Sequence, residues 1–443
     1  MKKLQLVSLL AATLAQAAAA SPAPDVTLRV TPDRDYVYKA GPREVIVQVE
    51  VEGRKPDDAR RVPMNLAIVL DRSGSMEGAK IEKARQAAAM AVDKLNDDDV
   101  FSLVTYDNET NVLIEPQRVG NRDNREELKA RIHRIQPGGS TALHAGVVLG
   151  ARQVRQKFEK ERVNRVILLS DGIANVGPSR TSDLASLGRE LRSDGISVST
   201  VGLGDDYNED LMTALAEASN ANYYYVKDAE KLPGIFAQEL GASRSLLARS
   251  VVIRINAPEG VRLKEIIGRP EIEVRDRIVE IKMPEFFGAE KRRFLVRCEA
   301  DSNVADAIEA AQVELNYANA DGAAAPAQRA AAKVAFTDEQ KKADDSIRPD
   351  VAREQSIAQN RIAKEMAVKL ADEGKAKDAA ELLRKQAAVN AAAPAAAQVP
   401  GLALENQKLE AAADELASAG RLDKSRRKAM QFENYADKYQ KTR

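Results

Sequence analysis

"LAIVLDRSGSMEG", residues Leu66–Gly78, runs five apolar residues into an aspartate and then breaks into small hydroxyls and glycines. An unbroken apolar run of that length reads as a buried strand. It ends on Asp71, Ser73 and Ser75, and a core strand needs none of them. Such an ending suggests a socket at the strand's carboxyl end, where ligands sit in open α/β sheets.

The surroundings support that strand assignment. From Asn65 to about Gly241, strand-like runs ("NLAIVLD", "VFSLVTYD", "VILLSD", "ISVSTVGLG", "NYYYV") alternate with helix-periodic stretches such as Ile81–Leu95 and Leu143–Phe158. Strand, helix, strand repeated in this way predicts a doubly wound, mainly parallel sheet covered on both faces. "TNVLIEP" follows "VFSLVTYD" too closely for a helical crossover, so it is expected to pair with it as an antiparallel hairpin.

Period-2 alternation flanks this unit on both sides: Val26, Leu28, Val30 and Val45–Val51 before it, and runs that imply five or more strands between Arg249 and Phe336 after it. These predict a β-sandwich into which the α/β unit is inserted, each strand with one buried face. Cys298 shares a face with Phe294 and Val296 and reads as a core thiol. From Asp350 onward the chain is rich in Ala, Lys, Glu, Gln and Arg, so it is expected to be helical, with corners at Gly374 and Gly420. Those corners are similar to tetratricopeptide hairpins; a loosely packed tail is the other reading.

The first residues, "MKKLQLVSLLAATLAQAAAASPAPD", carry Lys2 and Lys3, a short apolar stretch and small-residue cleavage sites, the pattern of an export signal. The expected division is therefore 1–20 signal peptide, 21–62 first sandwich strands, 63–243 α/β domain, 244–340 remaining sandwich and 341–443 helical tail. A periplasmic or secreted location follows, and no later segment reads as a membrane span. The 443-residue chain balances 67 Lys and Arg against 67 Asp and Glu, which is no footprint for nucleic acid. Its single cysteine cannot form an internal disulfide, so stability must come from packing.

Three features converge on the carboxyl ends of the predicted strands. Asp71, Ser73 and Ser75 follow the first. Thr141 lies in the glycine-rich "PGGSTAL" ahead of a helix, and Asp171 ends "VILLSDG". All five side chains offer oxygen, which suits a hard divalent cation, Mg²⁺ first and Mn²⁺ or Ca²⁺ next, and not zinc. The ordered set D-x-S-x-S, then Thr, then Asp resembles the metal-ion-dependent adhesion site of the von Willebrand factor type A (VWA) family over roughly Asn65–Gly241. "NLAIVLDRSGSM" and "LLSDGIANVGPS" are most similar to its exported bacterial members.

The resemblance implies direct metal contact by Ser73, Ser75 and, in the ligand-bound state, Thr141, with Asp71 and Asp171 acting largely through water or one of them directly. It also implies an open position for a protein partner's Asp or Glu. The acidic "GDDYNED" reads as a turn and helix start, with a second ion site as the alternative. "NDDDV" reads as a solvated turn, and His144 as structural although near Thr141. No nucleophile elbow, dinucleotide fingerprint or zinc motif is present, so the expected function is non-enzymatic protein binding. The alternatives are a scaffold binding through the helical tail around a structural metal, and a metal-assisted hydrolase lacking an evident general base.

Overall fold

The computed structural model describes residues 24–55, 62–243, 246–301, 306–392 and 401–440. The signal-like segment 1–20 and most of the Ala/Pro-rich stretch after Asn390 lie outside them. Strands β1 (Val26–Pro32), β2 (Tyr36–Tyr38) and β3 (Glu44–Gly53) precede the central unit. That unit runs β4 (Met64–Asp71), α1 (Ala79–Lys94), β5 (Val100–Tyr106), β6 (Thr110–Arg118), α2 (Arg122–His133), α3 (Leu143–Gln156), β7 (Val163–Ser170) and α4 (Thr181–Ser193). It closes with β8 (Ser197–Leu203), α5 (Glu209–Ala218), β9 (Tyr223–Val226) and α6 (Leu232–Ser243).

The central sheet has the order β6-β5-β4-β7-β8-β9. Every pairing is parallel except β5 with β6, the expected hairpin. β4 lies inside the sheet, and its apolar run divides by parity. Leu66, Ile68 and Leu70 enter one core together with Ala84, Ala88 and Phe236, while Ala67 and Val69 enter the other with Val147 and Leu187. Burial on both faces is why this strand reads as continuous rather than alternating. On the second face α3 approaches so closely that a Cβ on Gly150 would lie 2.3 Å from Val69 Cγ2. That approach fixes α3, and the Thr141 loop ahead of it, over β4.

After α6 come β10 (Leu246–Asn256), β11 (Val261–Ile266), β12 (Ile278–Phe287), β13 (Lys291–Ala300), β14 (Ala307–Asn319) and β15 (Gln328–Thr337). Two sheets, β1-β3-β13-β11 and β12-β10-β14-β15-β2, enclose one core of alternate residues such as Val47, Val49, Ile253, Phe294 and Leu315. Cys298 belongs to that core, and burial pushes its thiol up to about 12. β3 departs from the expected single buried face. Ile46 packs with Val351, and Glu50 meets Arg293, which also binds Glu354, because a helix covers the sheet's outer side.

The helices α7 (Gln340–Asp345), α8 (Pro349–Asp372), α9 (Ala376–Ala392), α10 (Leu402–Ala419) and α11 (Lys424–Tyr439) complete the chain. α8, α9 and α10 share a core of alanines and leucines. α11 does not fold back along α10 as a simple hairpin. Its stripe Lys428, Phe432, Tyr435 and Tyr439 turns instead to the central unit, where Tyr223 meets Phe432 and Tyr435 edge-on at ring separations of 6.1 and 5.8 Å. Buried Lys428 donates to Glu209 at 2.5 Å and to the Tyr207 carbonyl at 2.8 Å. Its far end reaches the sandwich, where Arg269 donates to the Lys438 carbonyl at 3.1 Å. Among the described residues no helix is long and apolar enough to cross a membrane.

The expected solvated turn "NDDDV" needs correction. Asp99 is fully buried and accepts from the Met64 and Asn96 amides at 2.8 and 2.7 Å, because it stops the start of β4 from leaving an orphaned N–H. The acidic "GDDYNED" turn likewise has its charges answered from within the chain. Asn208 caps α5, Asp206 pairs with Lys424, and Glu209 and Asp210 pair with Arg427. Removing a cation from this buried contact leaves a desolvated carboxylate behind. Lys428→Ala is expected to lower stability by about 3 kcal/mol, read as a lower urea midpoint, and an unchanged midpoint would show that α11 adds little to the fold.

Candidate functional site

The five candidate residues come from three loops at the carboxyl edge of the central sheet. β4 and β7 are parallel neighbours in register, Leu70 opposite Leu169, so Asp71 and Asp171 emerge side by side. Both carboxylates are fully buried. The chain then turns through a short 3-10 segment, Gly74–Met76, anchored by the buried Met76. The Gly74 amide donates to the Gly139 carbonyl at 3.0 Å and ties this loop to the one bearing Thr141.

Each acid is held by named donors. Asp71 accepts from the Ser73 amide at 2.8 Å and from the Ser170 hydroxyl at 2.7 Å. Asp171 accepts from Ser75 Oγ at 2.7 Å and from Lys80 Nζ at 2.5 Å. Thr141 is clasped by the loop after β7, its amide donating to Asn175 Oδ1 at 2.9 Å and its carbonyl accepting from the Asn175 amide at 3.2 Å. Beside them Arg72 and Asp107 form their own pair at 2.7 Å.

Gly172 shows how the hydroxyls are arranged. A Cβ there would lie 2.9 Å from Thr141 Oγ1, 3.4 Å from Ser75 Oγ and 3.7 Å from Ser73 Oγ. Three hydroxyl oxygens from two loops therefore surround one small space, which a side chain at residue 172 would fill. Among the described residues no group of three or more His, Cys, Asp and Glu side chains is placed to hold a metal ion. The donor set here is instead two carboxylates and three neutral hydroxyls, which fits a hard divalent cation that prefers oxygen.

Burial makes the arrangement costly. Removed from water, the Asp71 carboxyl is pushed up from 3.8 to about 6, opposed by its hydrogen bonds to Ser73 and Ser170. Tyr106, fully buried below, is raised as well, first by burial and then by the Asp71 charge. His144 lines a neighbouring groove between α3 and α4 with Arg180 and Asp183.

Sequence reasoning missed Lys80, Ser170 and Asn175. Ser170 precedes Asp171 in the quoted strand end, and Asn175 lies in "DGIAN", but neither position has a spacing signal of its own. Lys80 carried one: a lysine in the first turn of α1 opposes the helix dipole and needs a reason to be there.

An inserted parallel sheet of this order, with hydroxyls and acids gathered at its carboxyl edge, defines a class of domain. Residues 65–238 match the family model of the von Willebrand factor type A domain, and the central unit is therefore a VWA domain. Domains of this class generally serve protein interaction and adhesion. Among similar proteins, sll0103 of Synechocystis sp. is 31% identical over 193 residues, 43% of this chain and 44% of that protein. Inter-alpha-trypsin inhibitor heavy chain H2 of Mus musculus is 28% identical over 183 residues, 40% of this chain and 19% of that protein. This chain thus spans less than half the length of these relatives. The whole architecture is similar to a solved structure described as von Willebrand factor type A from Catenulispora acidiphila. That structure has a TM-score of 0.70 at 19% identity and covers 95% of this chain and 97% of its own. The ArnB paralog VWA2 of Sulfolobus acidocaldarius follows with a TM-score of 0.57, 16% identity, and 93% and 98% coverage. At these identities the likeness concerns the fold alone.

The raised Asp71 value has a definite sign. Between 3.8 and about 6 the folded chain holds more protons than the unfolded one, so stability falls as pH rises through that window. Above it the cost is fully present. Asp71→Asn is therefore expected to be more stable than the parent by about 2 kcal/mol at neutral pH in chelator. The difference should shrink as the pH is lowered toward the ordinary carboxylate range; chemical denaturation across that range measures it, and equal stability at neutral pH would contradict it.

Proposed function

We propose that Asp71, Ser73, Ser75, Thr141 and Asp171 hold a divalent cation, Mg²⁺ first, through which this chain binds an Asp or Glu carboxylate of a protein partner outside the cytoplasm. The observation that carries this reading is the gathering of three neutral hydroxyl oxygens around Gly172 beside two buried acids. When bound, the ion supplies an electrophilic position that an outside carboxylate can complete. The residues of this chain do the rest: they orient the hydroxyls and hold both buried carboxylates in place through Ser73, Ser170, Ser75 and Lys80. The extracytoplasmic setting rests on the signal-like first residues.

The function read here is binding and not hydrolysis. A general base would need a carboxylate free to take a proton, and both acids are engaged by Ser170, Ser75, Lys80 and the Ser73 amide. A scaffold role for the last helix is disfavoured for a separate reason. The face of α11 that a docking helix would present is spent on this chain's own Tyr207, Glu209 and Tyr223.

Saturating Mg²⁺ is expected to raise the thermal midpoint of the parent chain, by linkage worth about 2.7 kcal/mol at ~100 times the dissociation constant. Asp171→Ala should show no such rise. The same pair, immobilised and exposed to a fraction of exported proteins, should differ in parallel: a partner retained by the parent in Mg²⁺ and released by chelator or by the substitution. Retention in every condition would move binding to the helices or the sandwich.

A further inference from the structure

Lys80 is a cation at the site that the oxygen-donor reading does not require. Its ammonium lies 2.5 Å from Asp171 Oδ2, while Asp171 Oδ1 takes the Ser75 hydroxyl. Asp171 is fully buried and the Lys80 side chain is 30% exposed, so the lysine reaches inward from the rim. It stands in the first turn of α1, where exposed N–H groups favour anions and disfavour a cation. The contact with Asp171 therefore has to outweigh a local penalty. Arg72, the other nearby cation, is already answered by Asp107 at 2.7 Å.

A divalent ion and two carboxylates would cancel, and the hydroxyls add no charge. A filled site of that kind has little electrostatic demand for a further carboxylate. With Lys80 in place one positive charge is left over, held beside Asp171 at the rim of the site. We propose that Lys80 is a tethered counter-ion of the site: it lowers the affinity for the cation alone and leaves the loaded site with a positive charge that a partner's carboxylate cancels. Cation and acidic partner then bind each other's complexes more tightly than they bind the free chain, a reciprocal coupling. This rests on the cation reading of the preceding subsection.

The test is a Mn²⁺ titration of the full chain, followed by the electron paramagnetic resonance of the free ion, with and without excess acetate as the carboxylate probe and with bulk Mn²⁺–acetate binding subtracted. Lys80→Met is expected to bind Mn²⁺ about tenfold more tightly than the parent, since a like charge has been removed from a poorly solvated site. Acetate should tighten Mn²⁺ binding to the parent and leave Lys80→Met unchanged. Lys80→Arg, which keeps the charge, should behave as the parent, and Lys80→Gln repeats the measurement if the methionine variant does not fold. Parent-like or weaker Mn²⁺ binding by both neutral variants, or an equal acetate effect on parent and variant, would overturn the counter-ion role while leaving the cation site standing. Absence of Mn²⁺ binding by the parent and all variants would overturn the cation reading and this inference with it.

Discussion

Two carboxylates emerge side by side from adjacent parallel strands, fully buried, at the carboxyl edge of a sheet packed on both faces. Much of the local structure answers that one constraint. Ser170 and the Ser73 amide take up Asp71, Ser75 and Lys80 take up Asp171, and the loop geometry that brings those donors in also gathers the three hydroxyls at Gly172. An isolated acidic pair would be relieved by moving apart or taking up protons. Here β4 and β7 cannot separate, because β4 is packed on both faces and hydrogen-bonded on both edges. The burial of both acids is built into the sheet, and the loop donors answer it.

The same constraint explains the close seating of α3. Thr141 contributes to the site only if its loop lies over the end of β4, and the helix that follows can rest there because Gly146 and Gly150 present no side chain to Tyr106 and Val69. Arg72 and Asp107 pin the neighbouring hairpin turn, and the Asp107 carbonyl receives the Ala142 amide at 2.8 Å. Site geometry is thus set by packing below it and by backbone hydrogen bonds between loops, with few side chains free to adjust. Such a site is preorganised, and the cost appears as a raised Asp71.

The sequence was legible where one physical signal dominated. The unbroken apolar run of β4, the strand–helix alternation around it and the short gap before β6 read directly as a mainly parallel sheet with an antiparallel edge, and the alternation of Val313, Leu315 and Tyr317 read as a sandwich strand. The five candidate oxygen donors could be grouped because each sits at a strand end or in a glycine-rich loop. What escaped were contacts between segments far apart in the chain. Nothing local marks Ile46 and Glu50 as lying under α8, since their alternation with Val47 and Val49 looks like an ordinary solvent face. Asp99 reads as one acid among three, and only its two backbone donors distinguish it. Lys428 and Tyr435 look like routine helix residues until Glu209 and Ala221 are found opposite them.

The seating of α11 has a consequence for how the molecule is made. Lys428 lies 219 residues after Glu209, the acid it covers, and the whole second half of the sandwich is threaded between them. A chain emerging in order from a ribosome or an export channel would complete β9 and α5 long before their covering helix exists. During that interval Glu209 and Asp210 lack the Arg427 and Lys428 cations, and Tyr223 lacks its aromatic neighbours. Long-range pairing of this kind slows folding and prolongs the exposure of sticky surface. Until α11 arrives the VWA domain has an uncovered flank, and the last helix is the fastening that closes it.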